Sequence, residues 1–151
     1  AYVLNPNETK PPNYLVDALK DGNRVQDIFT SNFETGKTGN SVLSESLNES
    51  KAEGLRPSIY THPLGTYGHS SGTTLGMWDS QGGVPVTGDY PLHENTVYAI
   101  ELNTTVTIPE WKRDIRIMLE EDAFFDGKTV RYIDGRQTAL MTIPRSLHPN
   151  K

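Results

Sequence analysis

The spacing of apolar positions changes character twice along this chain. Residues 14–33 place Leu15, Leu19, Val25, Ile28 and Phe29 at mostly helical intervals, with Gly22 among them. That spacing predicts a helix with a break or kink at the glycine. A second helix is predicted from about Asn40 to Ala52, with Asn40 placed to cap it and Gly54 where a C-terminal stop belongs. Residues 5–12 (NPNETKPP) read as a loop. Residues 56–93 hold most of the glycines and three of the four histidines, and no single period emerges there. Short strands and tight turns are expected. Residues 96–108 (TVYAIELNTTVTI) alternate and are rich in β-branched side chains, so they predict a strand. Residues 115–125 predict another, Asp126-Gly127 a turn, and strands follow near 129–133 and 138–143, split by Asp134-Gly135. Helices first and antiparallel strands afterwards give the class α+β. No internal repeat interrupts this order.

The 151 residues suit one domain. The apolar share is 34% and the mean hydropathy −0.56, a polar balance whose apolar residues are nevertheless clustered. A net charge of −5 offers no electrostatic footprint for nucleic acid or for an anionic membrane. With no cysteine, disulfides and thiolate zinc sites are excluded. No run approaches the roughly 20 apolar residues of a membrane span, and no signal peptide is visible. The chain reads as soluble, cytoplasmic or exported. It opens at Ala1 without a methionine, which suggests a processed chain or a fragment.

Two segments imitate known sites. Gly36-Lys37-Thr38 ends like a phosphate-binding loop, but Ser31 stands where that loop needs its first glycine. Glu120-Glu121-Asp122 with Asp126-Gly127 lacks calcium-loop spacing. The chemistry concentrates in three other pieces. His62 and His69 lie in the run Thr61-His62-Pro63-Leu64-Gly65-Thr66-Tyr67-Gly68-His69. Glu101 sits in a strand where alternation puts it with Val97 and Ala99, away from Ile100 and Leu102. A carboxylate so flanked is expensive to bury unless paired or metal-bound. Finally, Glu120, Glu121 and Asp122 interrupt an apolar strand, and a cation is one remedy for adjacent like charges. Singly, these pieces also read as two loop histidines, an edge-strand glutamate and a solvated strand end. Together, one imidazole and two carboxylates make half of a nitrogen and oxygen metal site, suited to manganese, cobalt, iron or zinc.

In this order the motifs resemble the C-terminal series of the M24 metallopeptidases, the group of methionine aminopeptidase, Xaa-Pro aminopeptidase and prolidase. The segment H-x-x-G-x-x-x-H matches His62 to the family's metal-binding histidine and His69 to its substrate-facing one. Ala99-Ile100-Glu101-Leu102 matches the strand that carries the next ligand, and Met118-Leu119-Glu120-Glu121-Asp122 the strand that carries the last, which picks Glu120 over Glu121. The resemblance covers nearly the whole chain. It implies the C-terminal portion of a pita-bread catalytic domain and a dinuclear site of two divalent ions (Mn, Co, Zn or Fe). His62, Glu101 and Glu120 are the implied ligands. Glu101 or a neighbouring acid is also implied as proton carrier, and His69 as the group that steadies the substrate carbonyl or the tetrahedral intermediate. The implied partners are a peptide substrate and the missing N-terminal part of the protein.

The departures are specific. The family's two aspartate ligands come from an upstream hairpin, and Asp17, Asp21 and Asp27 lie in a helical stretch that does not fit it. Ser58, Met118 and Leu102 replace a histidine, an arginine and a proline found in relatives. A chain lacking its other half is expected to expose sheet and helix surfaces, with a homodimer as one outcome. Two further readings stand beside the peptidase: a non-catalytic relative that binds peptides or proteins, and a carbohydrate-active domain using Glu101 and Glu120 as paired carboxylates. Tyr67 and Asp79 are expected to line the cleft, Trp78 and Trp111 to pack or wall a pocket, and His93 and His148 to lie on the surface. Sequons occur at Asn7, Asn48 and Asn103.

Overall fold

The computed structural model describes residues 1–144; His148 lies outside the described residues. The order is β1 (Tyr2–Val3), α1 (Asn13–Ser31), α2 (Gly39–Ala52), β2 (Pro57–Ile59), β3 (His62–Pro63), β4 (Thr96–Ile108), β5 (Arg113–Phe125), β6 (Val130–Tyr132) and β7 (Thr142–Ile143). This is the α+β class that the pattern predicts. The centre is the antiparallel hairpin of β4 and β5, paired residue for residue from Thr96↔Phe125 to Ile108↔Arg113. A short 3-10 turn at Pro109–Trp111 closes it, and Lys112 takes a left-handed conformation. β2 and β3 pair successively with the other side of β4, and β6 covers only the last three residues of β5.

Alternation decides the two faces of this sheet. Tyr98, Ile100 and Leu102 on β4, with Leu119, Ala123 and Phe125 on β5, point into one core with Leu19, Val25 and Phe29 of α1 and Val42, Leu43 and Leu47 of α2. Phe33, just past α1, sits edge-on to Phe29, Tyr98 and Phe125 at centroid separations of 5.1, 5.3 and 5.6 Å. Each such buried side chain contributes about 1.5–3 kcal/mol. Both helices therefore lie on one face. The other face carries Ala99, Glu101 and Asn103 opposite Asp122, Glu120 and Met118.

Three local expectations need correction. α1 runs unbroken through Gly22, which is buried. A Cβ there would come within 2.9 Å of Ile117 and Leu119 on β5, so the glycine serves close helix–sheet packing rather than a kink. The cap of α2 is Thr38, whose hydroxyl accepts from the Ser41 amide at 3.1 Å. Asn40 instead ties down the following loop: its Nδ2 donates to Val84 O and Asp89, and its Oδ1 accepts from the Val84 amide. Gly54 does end α2, at φ +79°, with its own amide on Lys51 O and the Leu55 amide on Ser50 O. Lastly, no long strand spans 138–143. After Asp134-Gly135 the chain leaves the sheet, and only Thr142–Ile143 is extended, in a parallel pair with Tyr2–Val3. No described helix is long and apolar enough to cross a membrane.

Candidate active site

β3 is only two residues long, yet it is firmly placed. The Thr61 hydroxyl donates to Glu101 O at 3.2 Å and accepts from the Glu101 amide at 2.9 Å. The Thr61 backbone exchanges two hydrogen bonds with Leu75. His62 then pairs with Ala99, which puts its ring on the open face beside Glu101. Strand β4 lies between β2/β3 and β5, so Glu101 is a central-strand residue and not an edge one.

The geometry of the imidazole is informative. His62 Nδ1 lies 3.1 Å from Pro63 O. A carbonyl oxygen only accepts, so Nδ1 carries a hydrogen, and in the Nδ1–H tautomer Nε2 presents a lone pair. That Nε2 is buried without a hydrogen-bond partner and stands 3.3 Å from Glu101 Oε2. The separation is within ion-pair range but lacks hydrogen-bond geometry. A lone pair facing an anionic oxygen is repulsive unless a cation, proton or metal, joins them. Of the two candidate glutamates on β5, only Glu120 shares this face, directly across from Glu101. Glu121 pairs with Ile100 on the helix-bearing face and accepts from the Gln137 amide.

His69 reaches the site because the chain doubles back. The Ser70 amide donates to Pro63 O and the Gly68 amide to Gly65 O, both at 3.0 Å. A Cβ on Gly65 would lie 2.6 Å from His69 O, so only glycine permits this close return. The ring of His69 stacks on that of His62 with 4.1 Å between centroids and 15° between planes. The spacing H-x-x-G-x-x-x-H thus has a direct geometrical meaning.

A cleft of about 580 Å³ opens over His62, His69 and Glu101, lined also by Tyr60, Trp78, Asn103, Arg116 and Met118; Glu120 lines a separate hollow with Asp122 and Asp134. Trp78 is a wall, as expected. Trp111 packs edge-on against Tyr14 away from the cleft, and His93 is exposed. Tyr67 and Asp79 are corrections: neither lines the cleft, and Tyr67 projects outward at 94% exposure. Nearness in sequence misled here because the loop carries both tips away. Sequence reasoning missed Asn103, Arg116 and Met118. The signal was available, since they continue the alternations that start at Glu101 and Glu120. Asn103 is also buried in the central strand, which closes that sequon to modification.

The metal question turns on donors. His62 and Glu101 supply a matched nitrogen and oxygen, with Glu120 as the next carboxylate in register. Among the described residues, no three His, Asp or Glu side chains stand close enough to hold an ion by themselves. Asp17, Asp21 and Asp27 belong to α1, on the opposite face, and Asp27 is engaged by Arg136. The donor set therefore fits part of a metal site.

The backbone has counterparts among solved structures. The chain is similar to the X-Pro aminopeptidase from Thermotoga maritima MSB8, with a TM-score of 0.61 and 19% identity over 89% of this chain and 35% of that one. It is also similar to a dipeptidase from Pyrococcus horikoshii OT3 (TM-score 0.57, 18% identity, 87% and 34% covered) and to the Xaa-Pro dipeptidase from Bacillus anthracis (0.55, 17%, 89% and 34%). No protein-family model matches the chain, and no curated protein matches it. These likenesses show the fold: a helix-backed, antiparallel pita-bread sheet. The chain spans about a third of the length of the structures it matches.

Proposed function

We propose that this chain contributes the His62–Glu101–Glu120 side of the active site of a metal-dependent aminopeptidase or dipeptidase, which cleaves the first peptide bond of its substrate. The observation that carries the reading is the bare, buried Nε2 of His62 facing Glu101 Oε2 across 3.3 Å. A divalent cation removes that repulsion and uses both donors. His62, Glu101 and Glu120 would hold the two ions, with two aspartates taken from residues not among these 151. When bound, such ions polarise a carbonyl and lower the pKa of a water toward neutrality.

The remaining work falls to the chain's own side chains. Pro63 O fixes the His62 tautomer, so that Nε2 is the donor atom. Glu101, whose backbone is clamped by Thr61, accepts the proton released by the attacking water and delivers it to the departing amine. His69, exposed at the cleft and stacked on His62, donates to the substrate carbonyl oxygen as charge develops there. Removing one such donor costs about 10²–10³ in kcat.

The test is hydrolysis of short peptides by the intact protein before and after chelation and after adding back Mn²⁺. Metal-restored release of the N-terminal residue, lost in His62→Ala, supports the reading. Peptide binding without hydrolysis at any metal loading replaces it with a non-catalytic binding module.

A further inference from the structure

Polar side chains taken out of water normally have their hydrogen-bonding groups matched. Among the described residues, Asn103 is the buried polar side chain that also lines the cleft. It is 6% exposed and stands on the central strand, two residues beyond Glu101 on the same face, with Ser58 and Met118 as its neighbours on the flanking strands. Its carboxamide can donate from both hydrogens and accept at both lone pairs of the oxygen. Among the described residues the side chain makes one bond: Nδ2 donates to the Tyr60 hydroxyl at 3.4 Å, longer than an ordinary hydrogen bond. Gln26, Ser50 and Thr104 also keep unpaired side-chain atoms, but these are enclosed and none of the three lines the cleft. Oδ1 of Asn103 is not among the enclosed atoms and opens on the cleft.

From this placement we propose that Asn103 binds the backbone of the substrate's third residue, so that the protein favours tripeptides and longer chains over dipeptides. The proposal rests on the peptidase reading for where the first bond lies, and it selects the aminopeptidase form of that reading. In an extended chain the N–H and C=O of one residue point the same way, which is how paired strands exchange both bonds. A carboxamide sets an acceptor beside a donor, so Oδ1 takes that N–H and the free hydrogen of Nδ2 reaches that C=O. Two residues of strand separate Glu101 from Asn103 by about 7 Å, at about 3.4 Å per residue. A substrate lying along β4 with its first carbonyl at His69 and Glu101 brings its third residue to the same distance. A dipeptide ends short of it. Tyr60 is held across from Glu101 by its amide's bond to Glu101 O, and its hydroxyl sets the plane of the carboxamide, so it is a positioning residue. Trp78 and Met118 on the cleft wall keep water from the new bonds once a peptide is seated.

The test uses the intact protein with trialanine amide and with its ester analogue, in which an oxygen replaces the N–H of the third residue. Binding is followed by calorimetry, and cleavage by release of the first alanine in Mn²⁺, for the wild type, Asn103→Leu and Tyr60→Phe. The melting temperature of each variant checks the fold, and the comparison of the two ligands in the wild type needs no variant. The expected result is binding about tenfold tighter for trialanine amide than for the ester analogue in the wild type, because the ester leaves Oδ1 facing an oxygen in a site closed to water. That preference falls to near one in Asn103→Leu and is partly kept in Tyr60→Phe. Equal binding of the two ligands in the wild type, a preference that survives Asn103→Leu, or no binding of either ligand overturns the proposal. A preference without metal-dependent release of alanine leaves Asn103 in its role and removes the peptidase reading. Metal-dependent release that is the same for both ligands does the reverse.

Discussion

Glu101 on β4 and Glu120 on β5 are direct cross-strand partners on the open face of the sheet; among the described side chains Glu101 has its ion-pair contact in His62 Nε2 at 3.3 Å, and Glu120 has none. Like charges placed opposite each other destabilise a sheet. The proposed cation, held by both, would offset that repulsion. Glu120→Gln is therefore expected to weaken Mn²⁺ binding by at least tenfold and to leave thermal stability unchanged or slightly raised. Glu121→Gln, on the helix-bearing face, leaves Mn²⁺ affinity within about twofold. Paired calorimetric titrations check this, and equal losses in the two variants would contradict the assignment.

Gly65 makes a prediction of a different kind. Its replacement by alanine puts a methyl group 2.6 Å from His69 O. Relief of that clash moves His69 off His62 at a cost of about 1–3 kcal/mol. Gly65→Ala should lower kcat far more than it lowers metal content. A structure or NMR spectrum of the variant with the two rings still stacked would refute the point.

Acid sensitivity should trace to a surface pair remote from the site. The Arg56 guanidinium, bonded at 2.7 and 3.2 Å, together with the Thr107 hydroxyl, holds the Asp114 carboxyl down to about 2. A depressed carboxylate stabilises the fold above its ordinary range, and the contribution is lost as pH falls from about 4 toward 2. Asp114→Asn is expected to flatten that part of the stability–pH curve. Denaturant melts between pH 2 and 5 measure it. The pair is half exposed, so the effect should also shrink in high salt.

At the other extreme, burial pushes the Tyr98 hydroxyl up to about 12. A raised acid group favours the fold below its ordinary value near 10 and loses that contribution as pH climbs toward 12. Tyr98→Phe should be less sensitive across that window than the wild type, as followed by alkaline unfolding.

The long strands were the most legible part of the chain. The alternation of 96–108 gives β4 to the residue, and 115–125 gives β5 apart from two residues at its start. Both owe their clarity to one buried and one open face. The failures share a physical origin, which is that local pattern does not reveal distant partners. Asn40 has cap chemistry, but its side chain is taken by Val84 and Asp89, more than forty residues on. Residues 138–143 alternate plausibly, yet the chain is drawn away from the sheet, where Asn23 donates to Gln137 O and β1 pairs with Thr142–Ile143. At the site, the motif spacing singled out His62, His69, Glu101 and Glu120, of which the first three line one cleft and Glu120 stands across the hairpin from Glu101. Arg116 carries no motif, although the alternation of β5 already set it on the face of Glu120.

The most direct test is metal content by elemental analysis of the intact protein, as wild type and as Glu101→Ala. The account predicts about two divalent ions per protein in the wild type and loss of most of this metal in the variant, with an unchanged melting profile in chelator. No metal in the wild type after incubation with excess Mn²⁺, or equal metal in both proteins, would contradict it.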